Sequence, residues 1–243
     1  MKKIVLGAAL CSAAVMSAGA ANADDEDFLF GSTHALVLGS TGIPTPDAAY
    51  IAGAENLYLD PSGYDGTTAT TLALTTPETF DFTSSVPQGE QDLINAVLAD
   101  YSSGAMDCNS LGLCNDPLTI FAYSQSSLVA ALAEQQLSAD GIPSDALRFV
   151  LTGADPLVVP DSLYPTEVFD IYGDFFSFPG LLGTNLQDIE YELLLHLAYL
   201  WTTPAEIDSA IPIVDGMTTI MAMPTLGIDG LLEALYNAFV AGF

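Results

Sequence analysis

The stretch Leu118-Thr-Ile-Phe-Ala-Tyr-Ser-Gln-Ser126 decides the fold. Its first five residues form an apolar run typical of a buried strand, and residues 126–137 have apolar positions at helical spacing. A strand that turns directly into a helix at a serine with small neighbours is typical of a nucleophile elbow. Glycine is usual two residues before and after such a serine, but Ala122 and Ser126 are small enough for the turn. The stretch therefore predicts that Ser124 stands at the end of a buried strand.

The rest of the chain repeats this alternation of strand and helix. Three further apolar runs predict buried strands: residues 33–38, 147–151 and 167–172. Apolar spacing predicts a helix over residues 88–101, and Asp47 predicts the cap of a helix that begins at Ala48. Residues 60–87, rich in Thr, Ser, Gly and Pro, predict loop with one strand. This order favours an α/β-hydrolase fold, in which helices cover both faces of a mainly parallel sheet.

Active sites of such sheets lie beyond the carboxyl ends of the strands, where Ser124 is expected. The backbone N–H of Gln125, at the start of the following helix, suits an oxyanion hole. The loop after the first strand, around Ser40 and Thr41, is expected to supply the second donor. The alternative interpretation is that Ser124 only caps the helix that follows it.

A serine nucleophile needs a base, and the sequence contains two histidines. His196 lies downstream of Ser124, which agrees with the chain order of nucleophile, acid and histidine in this fold. His34 lies in the first apolar run, upstream of Ser124, and is interpreted as structural. A core histidine on an apolar helix remains the alternative reading of His196.

The acid should lie between Ser124 and His196, after a late strand. Asp174 is the first choice because it follows the fourth apolar run and Gly173, which could turn the chain. Asp170 is the second choice and Asp155 the third.

The amino-terminal end has the pattern of a secretory signal peptide. Lys2 and Lys3 precede an apolar stretch over residues 4–16, and Ala21-Asn-Ala23 is a small-x-small cleavage pattern. We expect residues 1–23 to be the signal and residues 24–243 to form one domain of an exported protein.

The composition excludes several classes of function. The chain has 31 acidic residues against 3 basic ones, a formal net charge of −28. Such a field repels nucleic acid and anionic lipid, so neither is an expected partner.

Beyond the signal no stretch predicts an integral membrane segment, and no motif calls for a metal or cofactor. Cys108 and Cys114 enclose five residues and predict a local disulfide in an oxidising compartment.

Several blocks resemble the PE-PPE domain family, an α/β serine hydrolase family related to cutinases. The blocks are Gly39-Ser-Thr-Gly-Ile-Pro-Thr-Pro-Asp-Ala-Ala-Tyr50 with Asn56-Leu-Tyr-Leu59, Phe121–Ser126, His196-Leu-Ala-Tyr199, and Met217–Thr225 with Leu231-Leu232. The resemblance implies Ser124 as nucleophile and His196 as base. Asp174 follows less directly, because residues 172–179 match the acid tract of the family only loosely, and Ala122 replaces the elbow glycine.

These observations predict an exported esterase or lipase that acts on small-molecule or lipid esters through Ser124, His196 and Asp174. Two alternatives stay open: an acyltransferase between lipids or sugars, and a non-catalytic envelope protein on a hydrolase scaffold. One apolar group between acid and base is interpreted either as an acyl pocket or lid, or as core: Phe175, Phe176, Phe178, Leu181 and Leu182.

Overall fold

A computed structural model describes residues 28–67, 69–154, 162–177 and 186–241 of the chain. Its centre is a seven-stranded sheet with the strand order β2-β1-β3-β4-β5-β7-β6. All neighbouring strands are parallel except β6 and β7, which pair antiparallel. The α/β-hydrolase-type architecture predicted from the alternation of strands and helices is confirmed by this sheet.

The strands are β1 (Ala35–Leu38), β2 (Thr71–Leu74), β3 (Leu118–Tyr123), β4 (Leu147–Thr152), β5 (Thr166–Ile171), β6 (Ile211–Asp215) and β7 (Thr218–Met223). Strands β1, β3 and β5 are buried along their whole length, as expected of a sheet covered on both faces. The continuous apolar runs of the sequence arise from this double burial. Two apolar clusters, one on each face, form the core.

The helices are α1 (Ala48–Ala54), α2 (Phe82–Ser103), α3 (Gln125–Ala139), α4 (Leu186–His196), α5 (Pro204–Asp208) and α6 (Ile228–Ala241). Helix α1 continues as a π-helical turn over Glu55–Leu59. The side chain of Asp47 accepts hydrogen bonds from the N–H groups of Ala49 and Tyr50, which confirms the predicted cap.

Two parts of the fold differ from expectation. Helix α2 begins at Phe82 and contains Pro87, although the sequence suggested a start at residue 88. Pro87 is the sixth residue of the helix, where it has no N–H to donate to the Thr83 carbonyl oxygen, and the helix continues through it to Ser103. The hairpin of β6 and β7 was not predicted; β6 lies at the sheet edge, and every one of its residues is exposed.

Cys108 and Cys114 form the predicted disulfide, and the two residues also pair as an isolated antiparallel bridge. Among the described residues, no helix is both long and apolar enough to cross a membrane. The predicted signal over residues 1–23 and its cleavage site lie outside the described residues.

Candidate active site

Ser124 forms a sharp turn between β3 and α3. Its φ of +62° lies in the left-handed region, which a non-glycine residue occupies only when the surroundings enforce it. The Ser124 N–H donates to the Thr152 carbonyl oxygen on β4 at 2.9 Å, and the Ser127 hydroxyl donates to the same oxygen at 3.0 Å. The Ser124 side chain makes no capping hydrogen bond to the helix. The strained turn therefore holds the hydroxyl outside the helix, which disfavours a purely capping role.

The hydroxyl of Ser124 meets an imidazole from far along the chain. Its Oγ lies 2.8 Å from Nε2 of His196, the last residue of α4. The other ring nitrogen, Nδ1, lies 2.8 Å and 3.0 Å from the two carboxylate oxygens of Asp174. An ionised carboxylate only accepts hydrogen bonds, so Nδ1 donates to Asp174 and Nε2 is left to accept from Ser124. This tautomer is the one that a general base requires.

Asp174 is fully buried and satisfied on several sides. The Phe176 N–H donates to its Oδ1 at 2.8 Å, and the hydroxyls of Ser177 and Tyr199 donate to its Oδ2 at 3.0 Å and 2.8 Å. These donors replace the water that the carboxylate loses on burial, and they fix its orientation toward His196.

Two tyrosines hold this arrangement together. The Tyr123 hydroxyl donates to the backbone carbonyl of His196, so the residue before the nucleophile also holds the end of α4. The Tyr199 hydroxyl accepts from the Ile171 N–H at 2.9 Å and donates to Asp174. Burial, and then the charge of Asp174, raise the pKa of the Tyr199 hydroxyl well above its usual value. It therefore stays protonated and remains a donor.

Replacement of Tyr199 by phenylalanine should lower kcat about tenfold at unchanged KM. One hydrogen bond to a charged group contributes about 1.5–3 kcal/mol, and its loss loosens Asp174 against His196. Tyr164→Phe is the matched control, because Tyr164 is equally buried but donates to the Ile142 carbonyl, away from the catalytic side chains. Steady-state kinetics on both variants is the measurement. Equal losses in the two variants would mean that Tyr199 contributes only to stability.

The expected oxyanion donors lie beside Ser124. Gln125 is the first residue of α3, and the first N–H groups of a helix have no intrahelical acceptor. Its side chain is fixed at both ends: Thr41 Oγ1 donates to Oε1 at 3.0 Å, and Nε2 donates to Ser85 Oγ at 2.6 Å. Ser40 and Thr41 line the same cavity as Ser124 and Gln125. The structure thus brings together all three residues that were named for this hole.

The loop that carries Ser40 and Thr41, residues 39–44, is called here the oxyanion loop. A Cβ on Gly39 would lie 1.9 Å from the Ile43 carbonyl oxygen, so this turn requires glycine. The Ile43 N–H donates to the Ser40 carbonyl at 2.8 Å and closes the turn. The Tyr50 hydroxyl donates to the Leu38 carbonyl at 3.2 Å and anchors the strand end before the loop.

Gly153, directly after β4, packs closely against the imidazole of His196. Its φ is +58°, and a Cβ there would lie 3.0 Å from both His196 Cε1 and Tyr199 Cε2. The sequence motifs did not single out this residue, because its role depends on contacts with residues more than forty positions away.

Replacement of Gly153 by alanine should lower kcat about 10²-fold, because the added methyl displaces the His196 ring from Ser124. Gly141→Ala is the control: Gly141 also has positive φ, +86°, but a Cβ there would meet nothing within 4 Å. Both variants carry backbone strain, and only the first carries the clash. Activity relative to thermal stability separates the two effects, and equal activity losses would contradict the steric account.

A cavity of about 520 Å³ opens above Ser124 and His196. Apolar side chains from four parts of the chain line its walls: Phe80 and Phe82, Leu128 and Ala131, Phe176, and Leu197. Phe80 at its mouth is 83% exposed, and Leu197 is 56% exposed. Of the apolar group proposed from sequence as an acyl pocket, Phe176 lines this cavity, and residues 178, 181 and 182 lie outside the described residues.

The other residues considered from sequence lie elsewhere. His34 precedes β1 at the amino end of the sheet, with Nδ1 3.2 Å from Asp116 Oδ1, which agrees with a structural role. Asp170 is buried on β5, whereas Asp174 follows that strand and contacts His196. Asp155 lies outside the described residues.

A parallel sheet with a strained serine after its third strand, in contact with a histidine–aspartate pair, defines an α/β-hydrolase fold. The chain belongs to the PE-PPE domain family, whose sequence profile matches residues 45–192. It is 30% identical to the uncharacterized PPE family protein PPE28 of Mycobacterium tuberculosis (strain ATCC 25618 / H37Rv), over 94% of this chain and 38% of that protein. The chain therefore spans well under half the length of that relative. A solved structure, a novel cutinase-like protein from Cryptococcus sp., matches with a TM-score of 0.48 and 17% identity over 71% of this chain and 88% of that one.

Proposed function

We propose that this chain hydrolyses carboxylic esters through an acyl-enzyme on Ser124. The observation that carries the proposal is the 2.8 Å contact between Ser124 Oγ and His196 Nε2 at a backbone φ of +62°. A protein that only binds esters needs neither this strain nor a buried aspartate behind the imidazole. The strained turn exposes the serine hydroxyl, and the histidine oriented by a buried aspartate raises its nucleophilicity.

In the first half-reaction, Ser124 Oγ attacks the ester carbonyl carbon while His196 Nε2 takes the hydroxyl proton. The carbonyl oxygen becomes an oxyanion, and the N–H groups of Gln125 and the oxyanion loop are suited to stabilise it. Return of the proton from His196 to the leaving alkoxide breaks the ester C–O bond and leaves the acyl group on Ser124. Water then attacks with His196 as base, the acid is released, and Ser124 regains its proton.

The cavity and the charge together suggest the class of substrate. The apolar walls above Ser124 suit an acyl chain, and exposed Phe80 and Leu197 extend that surface to the mouth. The net charge of −28 disfavours anionic head groups. We infer that the substrate is an uncharged or zwitterionic ester with an apolar acyl group. The disulfide and the predicted signal favour a reaction outside the cytoplasm.

A fluorophosphonate tests the proposal directly. It should label the wild-type chain once, on the peptide that contains Ser124, and should stop turnover of a short-chain nitrophenyl ester at the same rate as the labelling. Mass spectrometry of the digested chain identifies the site. A chain that stays unlabelled and turns over no ester would favour the non-catalytic alternative, and acyl products with an added sugar acceptor would favour transfer.

A further inference from the structure

Glu78 occupies an unusual position beside the oxyanion loop. Its side chain is only 1% exposed, and its φ of +43° lies in the left-handed region. One carboxyl oxygen, Oε1, accepts from the Thr76 hydroxyl at 2.8 Å. The other, Oε2, is buried and has no hydrogen-bond partner among the described residues. A buried carboxylate with one oxygen unsatisfied is costly, so something in the fold must hold it there.

The backbone around Glu78 is joined to the oxyanion loop at two points. The Gly42 N–H donates to the Glu78 carbonyl oxygen at 2.7 Å, and the Thr76 N–H donates to the Pro44 carbonyl at 3.0 Å. The N–H of Thr79, the residue after Glu78, donates to Ser85 Oγ, which also accepts from the Gln125 side chain. The segment of residues 76–85 therefore connects both sides of the expected oxyanion hole.

From these contacts we propose that Glu78 is a positioning residue, whose buried side chain must be neutral for the oxyanion loop to keep its geometry. The inference rests on the proposed esterase function. The strained backbone of Glu78 presents its carbonyl to Gly42, and the packed neutral carboxyl keeps that backbone in place. When the side chain ionises, it is drawn toward water, and the hydrogen bond to Gly42 weakens.

The charge environment gives this transition a pH range. Burial raises the pKa of Glu78 to about 7, and the Thr76 hydrogen bond opposes the shift only in part. Tyr50 of α1 is a titratable group that interacts with Glu78. Burial, and then Tyr123 and Glu78, raise the pKa of the Tyr50 hydroxyl well above its usual value, so this hydroxyl stays neutral. Asp81, on the same loop, lies in solvent, and the Thr83 and Ser84 side chains lower its pKa.

The raised pKa of Glu78 also makes the stability of the fold depend on pH. The folded chain retains the Glu78 proton up to about pH 7, whereas the unfolded chain releases it near 4.5. The folded state thus binds more protons between these pH values, and the free energy of unfolding falls as pH rises through that window.

Glu134 behaves in the same way, since burial raises its pKa to about 7. Its Oε2 accepts from the Leu163 N–H at 2.8 Å just before the amino end of β5, whereas the oxyanion loop follows the carboxyl end of β1. Glu134 is therefore the matched control.

The test compares Glu78→Gln with Glu134→Gln and the wild type from pH 6 to 9. Glutamine stays neutral, so Glu78→Gln should match the wild-type kcat near pH 6 and exceed it about tenfold at pH 9, at equal KM. Loss of one oxyanion donor lowers the rate about 10²–10³-fold, and displacement of the donor should cost part of that. Glu134→Gln should show the wild-type dependence of kcat on pH. Its urea midpoint, like that of Glu78→Gln, should depend less on pH than the wild-type midpoint does. A constant ratio of Glu78→Gln to wild-type kcat across this range would overturn the proposal.

A second measurement does not depend on ester turnover. The hydrogen-exchange protection factor of the Gly42 amide should fall above about pH 7 in the wild type and stay constant in Glu78→Gln. Unchanged protection in the wild type would overturn the inference even if the chain is an esterase, and the expected fall would support it even if no ester is cleaved. If Glu78→Gln does not fold, Glu78→Gly keeps the backbone carbonyl, suits the positive φ and lacks the titrating group, so its Gly42 protection should not change with pH.

Discussion

A Ser124→Ala chain is expected to lose about 10⁴-fold or more in kcat for a short-chain nitrophenyl ester, with its fold retained. In the proposed mechanism the variant removes the oxygen that forms the acyl-enzyme, and His196 then has no hydroxyl to deprotonate. The residual rate should come from the oxyanion hole and the cavity, which still bind the substrate. Steady-state kinetics with the thermal unfolding midpoint as a check on folding is the measurement.

Ser138→Ala is the matched control for this experiment. Ser138 lies on the same helix, α3, but is exposed near its far end, so its loss should leave turnover unchanged. Turnover by Ser124→Ala above one tenth of the wild-type rate would mean that another group attacks the ester. In that case the fluorophosphonate should label a different peptide, and the two results together would locate the true nucleophile.

The elbow was predictable from sequence because it is local. The order of strand, serine and helix, with Ala122 and Ser126 around Ser124, lies within one short stretch of the chain. His196 followed from the small number of histidines, since only one of two lies downstream of the serine. Asp174 followed from topology: a residue after a late parallel strand must lie at the same edge of the sheet as the elbow. Each of these inferences needed chain order but no knowledge of packing.

The supporting residues depend on long-range packing and could not be derived in this way. Nothing near Gly153 in sequence shows that the ring of His196 will lie against it, and nothing near Glu78 shows that its carbonyl will accept from Gly42. Tyr199 is partly an exception, because it belongs to the His-x-x-Tyr block that resembles the family. The block marks the residue, and only the structure shows its hydroxyl donating to Asp174.

The missed hairpin has a different cause. Because Asp215 pairs with Thr218, the hairpin loop is Gly216-Met217, and a glycine at the first loop position, here with a φ of +62°, is a turn signal. The signal was present, but strand β6 is exposed along its whole length and so has no buried face to impose an alternating pattern.

Asp174→Asn should lower kcat about 10⁴-fold while KM changes little. The asparagine amide can present an N–H to His196 Nδ1, which would make Nδ1 an acceptor and place the ring proton on Nε2, toward Ser124. That tautomer cannot accept the serine proton. The amide also turns a donor toward one of the groups that now donate to Asp174, namely Tyr199, Ser177 or the Phe176 N–H.

Asp170→Asn is the matched control, because Asp170 is also buried and lies four residues earlier, and chain order alone allowed either residue as the acid. The contact of Asp174 Oδ2 with His196 Nδ1 at 2.8 Å predicts that Asp170→Asn changes kcat less than tenfold. Both variants replace a buried carboxyl group by an amide, so a general effect of a buried polar change on His196 should appear in both. A larger loss in Asp170→Asn than in Asp174→Asn, with both chains folded, would transfer the orienting role from Asp174 to Asp170.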